Sequence, residues 1–163
     1  MKLPVTLKHT PVVVTENYDQ VDGRFAGNTD VKRLSLGLHR WKESGKANVS
    51  AKVWGDVGEE WSGQTGDIPL HRILDLSILI CRTLAHFRDA YRYEHFYDPQ
   101  EPTIDRIGLQ GSSMPIAICT DNERINEEIK LFSQALSDED EIIGERLRAL
   151  STILTDRGIK HVV

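Results

Sequence analysis

Apolar and polar residues alternate along the first half of the chain. Leu34, Leu36 and Leu38 are interleaved with Ser35, Gly37 and His39. That is the period of a strand with one buried face. Val49, Ala51 and Val53 alternate in the same way with Ser50, Lys52 and Trp54. Glu43-Ser44-Gly45-Lys46 supplies a turn between the two, and Gly55 to Glu59 a second turn toward Trp61. The pattern predicts a three-stranded antiparallel meander. Thr29 and Asp30 could instead cap a helix over 31–41, but Gly37 and the strict alternation favour strand. Pro11 to Thr15 reads as an earlier short strand. The polar segment from Glu16 to Asp30 is long for a connection, and such loops often carry function.

The period changes from Asp67 to Tyr97. This stretch reads as one long helix, apolar nearly all round in its middle at Leu74, Leu76, Ile78, Leu79, Ile80 and Cys81. Asp67 suits the N-cap, and Pro69 suits the first turn, where a missing N–H costs nothing. Pro99 and Pro102 stop it. A straight helix of ~29 residues would be ~43 Å long, against a domain only ~40 Å across. The helix is therefore expected to break near 88–93, or to project and pack on another subunit.

Met114 to Cys119 reads as a strand, either an edge strand or the start of one, because Pro115 lacks a ladder donor. Thr120 and Glu123 match a capping box. Ile125, Ile129, Phe132 and Leu136 form the buried stripe of the helix that follows. Ser137 and Asp138 open another, with Ile143, Leu147, Leu150 and Leu154 on one face and Gly158 ending it. Strands followed by helices make an α+β domain, expected as one unit over 1–163. Its plan is an antiparallel β-meander packed against a long central helix, with two further C-terminal helices.

Composition narrows the class. A chain of 163 residues buries roughly 70% of its unfolded surface, enough for a core without metals or disulfides. The formal charge is −5, and no run of Lys and Arg exceeds two residues. That argues against a nucleic-acid binder, which needs a concentrated basic face. The N-terminal Met1-Lys2-Leu3-Pro4 lacks the apolar core of a signal peptide, and no apolar run reaches the ~18 residues of a membrane span. A cytoplasmic protein without membrane contact is expected. Cys81 and Cys119, the two cysteines, sit among apolar neighbours and read as buried, inert thiols.

Five places could carry chemistry. On the long helix, His71, Asp75, Arg82, His86, Asp89 and Tyr93 fall within an arc of roughly 60°. His71 with Asp75, or His86 with Asp89, could act as a base and its orienting acid. The plain alternative is that this arc faces solvent. No HExxH or CxxC pattern is present, so no metal and no cofactor are expected. The outer face of the meander would carry His39, Trp41, Lys52 and Trp54, with Trp61 and Arg82 near. Large rings beside a cation mark a ligand platform or a partner surface, unless the chain covers them itself.

Asp19, Asp22 and Asp30 could hold a hard cation, though their spacing fits no EF-hand and a turn explains them as well. Gly108-Leu109-Gln110-Gly111-Ser112-Ser113 could cradle a phosphate, yet no Lys follows and a tight bend explains it equally. The Arg and aromatic residues from Arg88 to Tyr97 have interface composition.

Gly27-Asn28-Thr29-Asp30, Leu34-Ser35-Leu36-Gly37-Leu38, Ala51-Lys52-Val53-Trp54 and Pro69-Leu70-His71-Arg72-Ile73-Leu74-Asp75-Leu76 together resemble an uncharacterised family of small bacterial and phage-encoded proteins. The likeness continues through Gly108-Leu109-Gln110-Gly111 and Ile143-Gly144-Glu145-Arg146-Leu147. It implies no reaction and no site. The expected function is a non-enzymatic, homo-oligomeric protein that binds a small anionic or nucleotide-like ligand. Two other readings stand beside it. One is a hydrolase using a His/Asp pair on the central helix. The other is an interaction module using the Trp face.

Overall fold

The computed structural model describes residues 9–21, 31–40, 47–57, 60–63, 70–89, 96–109 and 112–156. Among them six strands form one antiparallel sheet: β1 (His9–Thr15), β2 (Val31–Arg40), β3 (Ala47–Val57), β4 (Glu60–Gly63), β5 (Thr103–Leu109) and β6 (Ser112–Ile118). Their order is β4-β3-β2-β1-β6-β5. Three helices complete an α+β fold: α1 (Leu70–Asp89), α2 (Ile125–Asp138) and α3 (Asp140–Asp156). The predicted meander is β2-β3-β4, and the sheet extends beyond it through β1 and the β5–β6 hairpin.

The alternation sorts the side chains as expected. Leu34, Leu36, Leu38 and Val53 enter the main core with Ile116, Ile118 and the α2 stripe Ile125, Ile129, Phe132 and Leu136. The opposite face is buried as well, around Val14, Trp54 and Cys119. Gly37 explains how β1 and β2 lie so close. A Cβ there would stand 2.0 Å from the Thr10 carbonyl oxygen, closer than any side chain tolerates.

Several expectations are corrected. β6 is not an edge strand, because β5 lies outside it. Pro115 is tolerated because β1 ends beside it. Its carbonyl accepts from Glu16 N–H at 2.8 Å, and a strand residue's N and O point the same way. The missing donor would have faced the end of β1. Gly108 and Leu109 end β5 and pair with Ser113 and Ser112 of β6, while Gln110 and Gly111 lie outside the described residues.

The helix read from Asp67 to Tyr97 ends at Asp89, inside the stretch where a break is expected. α1 has 20 residues, and Phe96 to Gln100 are not helical. Asp67, Pro69 and 90–95 lie outside the described residues. The α2 N-cap is Arg124, with no side-chain cap bond, in place of the Thr120 and Glu123 box. Buried Asn122 shapes the approach, accepting from Arg124 N–H and donating to the Pro11 carbonyl, each at 3.0 Å. Cys81 is exposed, while Cys119 is buried.

Candidate functional site

The polar arc of α1 is split by the structure. Its sheet-facing seam is Arg72, Asp75, Leu79 and Thr83, all buried. Tyr18 donates its hydroxyl to Asp75 Oδ2 at 2.5 Å. The Arg72 guanidinium stands 3.8 Å from the same oxygen and 4.8 Å over the Tyr18 ring. Burial, then the hydrogen bond to Asp75, push the Tyr18 phenol well above its ordinary range. This cluster pins the turn after β1 to the start of α1.

The other arc residues lie apart from it. His71, Arg82 and Asp89 are exposed. His86 is half-buried, its Nε2 bonded to the Phe96 carbonyl at 2.8 Å, and Arg82 pairs with Asp105 at 3.2 Å. Among the described residues no His–carboxylate pair forms on α1. Leu74, expected in the core, is 57% exposed. A helix apolar on most sides does not reveal which side meets the sheet, and a distant tyrosine decides it here.

The outer face of the meander is a buried network. Trp54 is 2% exposed. Its Nε1 donates to Ser35 Oγ at 2.7 Å, and Lys52 Nζ sits 4.6 Å over its ring. His9 lies between two hydroxyls, Ser50 Oγ at 2.6 Å and Ser35 Oγ at 2.9 Å. Burial, with Lys52 and His39 adding charge, lowers its imidazole to about 3. His39 is half-buried at the register position opposite His9. Trp61 is placed on β4 opposite Asp56, and Trp41 lies outside the described residues. So do Asp22 and Asp30, whereas Asp19 pairs with Lys32 at 3.7 Å. Among the described residues no three His, Cys, Asp or Glu side chains converge as a metal ion requires.

The cavity of interest lies on the other face, where the helices leave part of the sheet uncovered. A groove of about 310 Å³ opens over Leu36 of β2 and Val49 and Ala51 of β3. Ile80, Thr83 and Leu84 of α1 form one wall; Leu136 of α2 with Ile143 and Leu147 of α3 form the other. α2 fills the space over the middle of the sheet, its Phe132 meeting Phe87 edge-on at 5.2 Å. α3 leaves from the β3 side, tied there by Glu139 Oε2, which accepts from Val49 N–H at 3.1 Å. The groove is what remains between them.

Its lining is almost wholly apolar, with two polar features. Thr83 is fully buried, and its Oγ1 has no hydrogen-bond partner among the described residues. Arg146 stands at the rim, its side chain mostly exposed. A second cavity of about 350 Å³ abuts the first through Leu84, Leu136, Ile143 and Leu147, and adds Arg88, Ser133, Ser137 and Asp140.

None of the groove's helix residues was singled out from the sequence as a site. Leu36, Val49 and Ala51 were legible as an inward face. That the helices stop short of covering it depends on how α3 departs, which periodicity does not encode.

Fold and groove together define an α+β protein with a helix-walled apolar groove over one face of an antiparallel sheet. Residues 1–159 match DUF6530, a family of unknown function, and the chain belongs to that family. No curated protein and no solved structure matches it. Among the described residues no helix is long and apolar enough to cross a membrane.

Proposed function

We propose that this protein binds a small, largely apolar molecule in the groove between α1, α3 and the sheet. One observation carries the reading: an apolar groove of about 310 Å³ that holds a fully buried threonine hydroxyl without a partner among the described residues. The volume lies in the range of small-molecule sites, which pair apolar walls with a few polar groups that set orientation. A buried hydroxyl left unsatisfied costs about 1–3 kcal/mol, which a ligand's hydrogen bond would recover. The ligand class shifts from anionic toward apolar, since Trp54 and Lys52 are engaged with each other. That neither His71 nor His86 is paired with Asp75 or Asp89 among the described residues favours binding over hydrolysis. An exposed free thiol at Cys81 supports a reducing, cytoplasmic setting.

The test is a fluorescence titration with N-phenyl-1-naphthylamine. Saturable binding at one site per chain is expected. Ala51→Trp, which fills the groove from the sheet, should weaken it at least tenfold. Displacement by 1-naphthol should exceed displacement by naphthalene about fivefold, the worth of one hydrogen bond, and Thr83→Val should erase that preference. An absence of saturable binding, or full binding in Ala51→Trp, overturns the reading.

A further inference from the structure

α3 has no buried residue along its 17 positions. Its first half lines the groove through Ile143 and Leu147. Its second half is exposed, with Leu150, Ile153 and Leu154 at 42%, 53% and 38%. Ile143, Leu147, Leu150 and Leu154 recur at spacings of four, three and four, the seam of a coiled coil. The same spacing reaches Asp140 at one end and, in the sequence, Arg157 at the other.

This seam is symmetric about a point between Arg148 and Ala149. Reversal exchanges Ile143 with Leu154, Leu147 with Leu150, and Asp140 with Arg157. An antiparallel pair of such helices therefore matches apolar to apolar throughout, and in sequence register sets Asp140 against Arg157. That is the self-complementarity a two-fold interface requires. The like-charged match of Glu141 with Asp156 falls on the far side of the helix, since Glu141 lies about 160° round from Ile143 at 100° per residue.

We propose that a second copy of this chain covers the groove mouth. α3 pairs antiparallel with α3 of the second copy, and Leu150 and Leu154 of each copy lie over Ile143 and Leu147 of the other. The groove is then open in one chain and closed in the pair, with the Thr83 end left for the ligand. The role of the pair as a closure rests on the groove being the ligand site; the pairing itself does not.

Sedimentation velocity of the full chain at tens of micromolar tests this, alongside the N-phenyl-1-naphthylamine titration. The wild type is expected at twice the mass of one chain. The double variant Leu150→Glu, Leu154→Glu should sediment as a monomer, keep its far-UV circular dichroism because both side chains are exposed, and bind the probe at least tenfold more weakly. Asp140→Arg alone should weaken the dimer, and adding Arg157→Asp should restore it. A monomeric wild type, or a dimer indifferent to both sets of variants, overturns the pairing. A monomeric wild type that still binds probe overturns the pairing while leaving the ligand site intact. A dimer dispersed by the glutamates, with no probe bound by either form, supports the pairing and removes the ligand reading.

Discussion

His9 shows how far one side chain's environment can be read as a stability statement. Held between Ser35 and Ser50, its imidazole is lowered from 6.5 to about 3. The folded chain keeps it neutral where the unfolded chain takes up a proton. Its contribution is complete above pH 6.5 and is lost as pH falls toward 3, about 3 kcal/mol by pH 4.5. Urea unfolding at pH 7 and pH 4.5 should show this loss in the wild type. His9→Gln, which does not titrate, should show a smaller drop across the same interval, and equal drops would refute the assignment. The two cysteines separate in the same manner. Cys119 is buried and its thiol pushed up to about 12, chiefly by burial, whereas Cys81 is exposed. At pH 8 a disulfide reagent should modify one thiol per native chain, and the second only in denaturant. From the sequence both cysteines read as buried. That reading fits Cys119, just past the end of β6, and fails for Cys81 on α1, where apolar neighbours in the chain surround the helix rather than the residue.

At the scale of elements, the strands were the most legible. Period-two alternation assigns a face directly, so Leu34, Leu36 and Leu38 were placed inward without knowledge of what covered them. Gly37 was read only as a reason against helix. Its structural role is the close approach of β1, 2.0 Å from an added Cβ to the Thr10 carbonyl oxygen. Gly37→Ala should therefore cost about 3 kcal/mol, because backbone cannot step aside as a side chain can. A markedly lower urea midpoint with native-like circular dichroism before the transition is the expected result. β5 went unread because Thr103 to Leu109 shows little alternation and its burial is only partial. The helices were found, but not their orientation. α1 turns Arg72 and Asp75 inward because Tyr18, 57 positions away from Asp75, supplies the partner. α3 carries the predicted stripe yet buries none of it within the chain. Amphipathic spacing reports that a face wants cover and is silent on whether the cover comes from the same molecule.

At the scale of the whole molecule, the sheet is filled unevenly. α2 packs over β1, β2 and most of all β3, while α1 and α3 stand on either side of the groove. This imbalance creates the groove and leaves α3 projecting. The candidate site was illegible for the same reason, since it is defined by space that no residue occupies. The Glu139 contact has another consequence. Among the described residues β4 pairs with β3 only from Trp54 to Val57, so among them the remainder of β3 is a margin of unpaired amides. Such margins template further strands and seed fibrils. The carboxylate that takes the Val49 N–H at 3.1 Å removes one rung of that template. The residue that ties the start of α3 to the sheet thus also leaves that margin one donor short for a strand of another chain.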